Sequence, residues 1–219
     1  MMLQTIEPQY ASHFDTEPVT LGPMTGATWR RDPTRLARLL EHCKFVAEAF
    51  KGFDRVAEIG CSDGFAAPLV KRNVGKLDLY DMDVAWAPYA TQSGCDFRVH
   101  DIVKSGPLTA RKTIEAYDGI YALDVLEHIR PEDEPEALMN IRASLMPDGV
   151  FIAGCPSLES QVYASDLSKA GHVNCKSAEM MRSYLQKYFR QVFRFSMNDC
   201  TLHTGFGPMS HYILCICVN

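Results

Sequence analysis
The sequence predicts an α/β fold organised around a mostly parallel sheet. Three observations point there. Short apolar runs alternate with stretches of helical spacing along most of the chain. Glycine-bearing breaks separate them. The first run, Val56-Ala57-Glu58-Ile59, ends in Gly60-Cys61-Ser62-Asp63-Gly64, a turn in which glycine lets the backbone come within contact distance of a ligand.

The elements follow in order. Residues 1–31 carry Pro8, Pro18, Gly22, Pro23 and Gly26 and read as an irregular N-terminal arm or lid. Asp32-Pro33 is a helix start, with Asp as N-cap and Pro at the first helical position. Leu36, Leu39, Leu40, Cys43, Val46, Ala47 and Phe50 keep helical spacing until Gly52. The first strand is 55–59, followed by a helix after Gly64 in which Pro68 fits only near the first turn. Further strands are expected at 76–80, 96–100, 118–123 and 149–154, with a short helix around Leu108–Glu115 and a longer one after Pro131. Residues 155–176 are polar and read as an irregular loop, long enough to be functional or mobile. A helix from Ser177 to Phe189 and two strands, 192–197 and 211–218, complete the pattern.

The chemistry begins at the strand ends. The second strand stops at Asp81, and Gly60 to Asp81 spans 21 residues. That is close to the roughly 20 expected when a carboxylate takes the ribose hydroxyls of a nucleotide at a βαβ crossover. A nucleoside-containing cofactor follows. The dinucleotide fingerprint G-x-G-x-x-G is broken at Ser62, where the pattern is E-x-G-x-x-x-G, and no phosphate-cradling G-x-x-x-x-G-K-[ST] occurs. An acidic residue beside the turn repels phosphate and suits a cofactor with a cationic, amino-acid-like tail.

Composition sets the bounds. A length of 219 residues suits one domain, and 47% hydrophobic residues supply a sizeable core. A net charge of −5 without a Lys/Arg track argues against nucleic acid. Eight scattered cysteines without C-x-x-C read as free, mostly buried thiols in a reducing cytoplasm, with Cys215 and Cys217 on one strand face. The N-terminus lacks the basic and apolar regions of a signal peptide. No apolar run reaches the roughly 18 residues of a membrane span.

Five motifs in series give the chain a family likeness. Glu58-Ile59-Gly60-Cys61-Ser62-Asp63-Gly64, Asp81, His100-Asp101-Ile102, the run Asp118 to His128 ending in Leu126-Glu127-His128, and Leu145-Met146-Pro147-Asp148-Gly149 resemble the class I S-adenosylmethionine-dependent methyltransferases of small-molecule type. The resemblance covers roughly residues 34–219. It implies a Rossmann-like, doubly wound, seven-stranded sheet, mostly parallel, with the last strand antiparallel beside the fifth and helices on both faces. Residues 32–219 are then the S-adenosylmethionine-binding domain.

The same resemblance implies roles. Glu58 and Gly60 lie under the methionine portion, with Cys61, Ser62, Asp63 and Gly64 completing the turn. Asp81 takes the ribose hydroxyls and Met82 packs on adenine. Asp101 accepts from the adenine amino group, Ile102 adds a backbone contact, and Asp124 and Val125 border the methionyl end. Ser62 departs from the family's glycine at the middle of that turn. His128, next to where the methyl group sits, is the best base, because imidazole titrates near physiological pH. His172, in the long loop over the acceptor, is the second; His203 and His211 rank below. No metal is expected. The ubiquinone-pathway O-methyltransferases have a similar Glu-His, and some use a divalent ion. Yet ligands adjacent in sequence rarely point the same way, and no i, i+4 pair supports Glu127, His128 and His172.

The acceptor is the least specified part. The fourth strand lacks [DN]-P-P-[YF], and Cys155-Pro156 reverses the order of C5-cytosine enzymes, so nucleic-acid bases are disfavoured. Tyr10, Phe14, Trp29, Arg30 and Arg31, with His203, Phe206, His211 and Tyr212, suit a compact polar molecule, and Arg30 and Arg31 a nucleotide-sugar phosphate. The leading expectation is O-methylation of a sugar or similar hydroxyl. N-methylation of an amine on the same fold is the alternative. The missing middle glycine and the lack of Tyr-x-x-x-Lys oppose an NAD-dependent reductase. Intact acidic positions at three strands oppose a catalytically silent cofactor binder. The expected partners are a small-molecule acceptor and, in a homodimer, a second copy of the chain, without nucleic acid or membrane.

Overall fold
The structure, a computed structural model, describes residues 7–108 and 116–219. The helix expected around Leu108–Glu115 lies, beyond its first residue, outside them. The described residues open with a short helix α1 (Pro8–Ala11), then α2 (Pro23–Arg31) and the long α3 (Pro33–Ala49). Next come β1 (Arg55–Ile59), α4 (Ala67–Lys71), β2 (Lys76–Asp81), α5 (Ala87–Ala90) and β3 (Asp96–Val99). β4 (Tyr117–Leu123), α6 (Glu134–Ala143), β5 (Leu145–Pro156), α7 (Asp166–Gly171) and α8 (Ala178–Leu185) follow. β6 (Gln191–Asn198), β7 (Thr201–His203) and β8 (Tyr212–Val218) close the chain.

Among the described residues, eight strands form one sheet in the order β3-β2-β1-β4-β5-β8-β6-β7. β1 to β5 are parallel neighbours, and β8 runs antiparallel between β5 and β6. The count is eight rather than the expected seven because three residues after the Asp199 turn pair back onto β6 as β7.

Alternation along the strands splits the core in two. Ile120, Ala122, Phe151, Ala153, Ile213 and Cys215 face α6 and α8, meeting Leu138, Ile141, Met181 and Leu185. Their neighbours Tyr121, Leu123, Ile152 and Leu214 face α3 and α4, meeting Val46, Phe50 and Val70. The period of two sends successive side chains to opposite faces, so both faces need helical cover. Cys215 and Cys217 share one buried face, and all eight thiols are free. Among the described residues, no helix is long and apolar enough to cross a membrane.

Helix starts follow local chemistry. The Asp32 carboxylate accepts from Thr34 N at 3.0 Å and caps α3, whose first residue is proline. Ser177 caps α8 by accepting from Met180 N at 3.3 Å. Two segments are more regular than expected. Residues 23–31, assigned to an irregular arm, form α2. Residues 155–176 contain a 3-10 turn, Glu159–Tyr163, and α7, the latter capped by Ser165.

Candidate functional site
The ends of β1 to β4 open on one edge of the sheet. Ile59 pairs with Tyr80 and with Ala122, and Tyr80 pairs with Arg98, so the loops that follow emerge side by side. From β1 the chain steps outward to β2 and β3, then returns to β4 on the other side. The gap between β1 and β4 is therefore the topological switch point, where sheets of this kind bind ligands. Gly60 and Val125 flank it. A Cβ on Gly60 would lie 2.4 Å from Val125 Cγ2, and its φ of +75° is glycine territory, so no side chain fits there.

Asp81 organises the turn from the end of β2. Ser62 N–H donates to Asp81 Oδ2 at 3.0 Å, and Asp83 N–H donates to Oδ1 at 3.0 Å. Ser62 has φ 48°, the left-handed conformation that the missing middle glycine adopts freely. The turn thus keeps its shape with serine, and the Asp81 carboxylate holds it there. Asp81 is 8% exposed, and each of its oxygens keeps a second lone pair for a ligand. Cys61 is buried, its N–H bonded to Tyr80 O at 3.2 Å. Gly64 packs against Ala90 of α5.

Glu58 stands beside the turn on β1, paired in register with Tyr121 of β4. The Tyr121 hydroxyl donates to Glu58 Oε2 at 2.8 Å. Burial pushes the Glu58 carboxyl up to about 7; the Tyr121 bond opposes this, and Asp81 and Asp63 add to it. The sign of a binding effect follows. Below about 7 the group is neutral, and above it the carboxylate attracts an ammonium. A ligand whose ammonium meets Glu58 should bind more tightly as pH rises through that value, by up to about tenfold per unit. Calorimetry with S-adenosylhomocysteine from about pH 6 to about pH 7.5 tests this, the upper limit set by titration of the ligand's own amine. A flat profile would separate Glu58 from the amine.

Asp63 ties the turn to the N-terminal segment. Its carboxylate accepts from Thr25 N (2.8 Å) and Thr25 Oγ1 (2.8 Å), so α2 is pinned to the turn. The approach needs Gly22, where a Cβ would fall 2.4 Å from Asp63 Cβ. The Asp63 side chain is therefore an anchor for α2.

The third and fourth strand ends add further groups. Asp101 Oδ1 accepts from Val103 N at 2.9 Å and Lys104 N at 3.3 Å, which caps its own loop. Ile102 is buried, and its carbonyl accepts from Asn140 Nδ2 at 2.8 Å. Met82 is 69% exposed. Asp124, exposed after β4, has φ 55° and bonds Gly154 O through its N–H at 2.9 Å. Ser62 and Asp124 are thus two of the three non-glycine residues at positive φ among the described residues, and both border this edge. Such strain concentrates at functional sites.

Beyond Asp124 lie Glu127, His128 and His172. Leu126–His128 is a 3-10 turn, and the loop after α7 is fastened to it, with Val173 N and Asn174 N donating to Glu127 O at 2.9 and 3.0 Å. Lys176 of that loop bonds Glu134 Oε1 and Oε2 at 2.9 and 2.8 Å. The rings of His128 and His172 meet edge to face, centroids 5.1 Å apart. His128 Nδ1 donates to Gly171 O at 2.9 Å, and His172 Nδ1 to Gln161 Oε1 at 2.8 Å. Burial lowers the His172 imidazole, with the His128 and Arg35 charges adding to the effect. Burial also drives the Glu127 carboxyl well above the ordinary range, reinforced by Asp124.

This cluster corrects the argument against a metal. Glu127 and His128 are adjacent, yet one potential ligand atom from each, and one from His172, all lie within 4.8 Å of one another. The tight turn and a third residue from a distant loop achieve what sequence spacing hides. Of the expected acceptor residues, Arg30 and Arg31 are exposed at the end of α2. Tyr212 is buried and stacked on His42, centroids 3.8 Å apart. Thr25 and Tyr121 were missed. Tyr121 lay within the fourth-strand motif, but only the β1–β4 register puts it opposite Glu58.

Comparison with known proteins bears on the family and the fold. A family model described as a methyltransferase domain matches residues 28–192. No curated protein matches the chain in sequence. Among solved structures, the N-methyltransferase NodS from Bradyrhizobium japonicum WM9 in complex with S-adenosyl-L-homocysteine superposes with a TM-score of 0.64 at 19% identity, covering 87% of this chain and 91% of that one. The DhpI–SAH complex gives 0.60 at 15% identity over 95% and 91% of the two chains. An S-adenosylmethionine-dependent methyltransferase from Thermotoga maritima gives 0.63 at 15% identity over 88% and 98%.

Proposed function
This chain belongs to the methyltransferase-domain family, the class I S-adenosylmethionine-dependent methyltransferases, and we propose that it methylates a hydroxyl of a small polar molecule such as a sugar. The observation that carries the cofactor reading is the union of Glu58, Asp81 and the Gly60–Gly64 turn at the switch point between β1 and β4. Glu58 faces the ammonium of the methionyl tail. The spare lone pairs of Asp81 take the two ribose hydroxyls. Met82 covers adenine with apolar surface, and Asp101 and the Ile102 N–H read its edge. Asp124 and Val125 border the sulfonium.

Transfer is an in-line displacement. The acceptor oxygen attacks the methyl carbon, the carbon–sulfur bond breaks, and sulfur keeps the electron pair to give S-adenosylhomocysteine. The donor is already activated, so alignment is the main task. An alcohol must also lose a proton, which an amine can do after attack. Two imidazoles and a carboxylate next to Asp124 favour the hydroxyl acceptor, and we assign His128 and His172 to serve it. The fold likeness to NodS makes an amine the second reading.

Transfer of a labelled methyl group onto a panel of nucleotide sugars, phenols and amines tests the proposal. Label on hydroxyl acceptors supports it; label on amines alone replaces it with the second reading. Asp81→Ala should weaken S-adenosylhomocysteine binding about 10- to 100-fold, as expected for charge-supported hydrogen bonds of about 1.5–3 kcal/mol. Unchanged affinity by calorimetry would remove the ribose assignment.

A further inference from the structure
Among the described residues, Glu127 lacks any partner its chemistry requires. The side chain is 1% exposed, and neither carboxylate oxygen accepts a hydrogen bond from them. Buried carboxylates are normally paired, hydrogen-bonded or bound to a metal. The nearby cation, Lys176, is held by Glu134 and by Asn174 Oδ1 at 2.9 Å. We propose that a divalent cation binds between Glu127, His128 and His172 and holds the acceptor hydroxyl against the methyl donor.

The geometry supports this in three ways. First, one potential ligand atom from each residue lies within 4.8 Å of the others, near the roughly 3–4 Å that separates ligands about 2.1 Å from a shared ion. Second, both imidazoles are in the tautomer a metal needs. His128 Nδ1 faces Gly171 O, and His172 Nδ1 faces Gln161 Oε1. Carbonyl oxygens only accept, so each Nδ1 carries the proton and each Nε2 keeps its lone pair. The Gln161 amide is oriented by its own Nε2, which donates to Ser157 O at 3.0 Å and to Ser160 Oγ at 3.3 Å. A ring N–H bonded to a carbonyl is the usual support for a metal-binding histidine. Third, the cluster is preassembled, because Val173 and Asn174 fasten the His172 loop to the Glu127 carbonyl.

The donor set names the class of ion. Two nitrogens and one carboxylate favour Mn²⁺, Co²⁺ or Zn²⁺ over the all-oxygen preference of Mg²⁺ and Ca²⁺. Three protein ligands leave positions open, and a hydroxyl bound there loses its proton more easily. The catalytic part of this inference rests on the methyltransferase reading above; the binding part does not.

The test uses chelator-stripped protein titrated with Mn²⁺ by electron paramagnetic resonance and with Zn²⁺ by calorimetry. One ion per chain is expected, with Glu127→Gln and His172→Ala each weakening it about 100-fold. Gln161→Leu, which leaves all three ligands in place, should cost about 10-fold. Thermal unfolding of the stripped variants checks their integrity, and Glu127→Gln should be no less stable than the parent. S-adenosylhomocysteine affinity, measured on the same samples, keeps the two readings apart. Cofactor binding with no Mn²⁺ or Zn²⁺ binding overturns the cation and spares the cofactor. Ion binding that is lost in Glu127→Gln supports the cation whatever the cofactor does. Ion binding of equal strength in parent and Glu127→Gln overturns the site.

Discussion
Replacing His128 by alanine should lower kcat about 100-fold or more while S-adenosylhomocysteine affinity changes less than about twofold. The split follows from position. His128 lies exposed after β4, bonded to Gly171 O and packed against His172, and it makes no hydrogen bond to Glu58, Asp81 or the Gly60–Gly64 turn. Activation of an acceptor proton by a placed side chain contributes typically 10²–10⁴-fold. The fold should tolerate the change, because the side chain is exposed and contributes little to the core. Initial rates with saturating cofactor, together with calorimetry, check both halves. An unchanged rate removes His128 from the chemistry, and a matching loss of cofactor affinity shows that it serves the donor instead.

Lys176→Met should destabilise the protein by about 3–5 kcal/mol, because it leaves a buried carboxylate without its counter-charge. Lys176 is 8% exposed and Glu134 2% exposed, and Lys176 Nζ touches both Glu134 oxygens. After the change, Glu134 keeps only the bond from Asn174 Nδ2, at 2.8 Å. For a chain of this size the expected fall in Tm is roughly 10 °C, read by thermal unfolding. Lys176→Met combined with Glu134→Leu should recover most of the loss, since an apolar pair of similar volume is often as stable as a buried ion pair. If the double variant is as unstable as the single one, the damage comes from lost packing of the lysine stem against Tyr184, which its ammonium also faces at 5.1 Å from the ring centroid. The same bridge holds the loop that carries His172, so a rise in KM should accompany the loss of stability.

The parts of the fold legible in sequence were those set by neighbours along the chain. Asp32-Pro33 announces α3 because capping and a fixed proline φ are local effects. Short apolar runs announce β1, β2 and β4, which the helices on both faces of the sheet keep buried almost throughout. The three residues of β7 are too few to show a period. α2 is obscured by Thr25 and Gly26, poor helix formers whose segment is fixed by Asp63, 38 residues beyond Thr25 in sequence. The positions of Gly60 and Asp81 after adjoining strands were readable from spacing, and Ser62 looked like a defect only because the carboxylate that holds it is remote. The bond from Thr25 to Asp63 was not readable for a similar reason, since the two residues are 38 apart in sequence. Glu127 was hidden by its polarity; nothing along the chain reveals that an acidic residue is sealed from water, or that His172 arrives beside it.

The placement of β8 affects how the chain acquires its shape. Tyr212–Val218 slots between β5 and β6, bonded on both sides. During synthesis, β5 and β6 emerge before the strand that joins them, and each then presents an unpaired backbone rim to the surrounding solution. The nascent polypeptide must carry these sticky borders until its final keystone arrives.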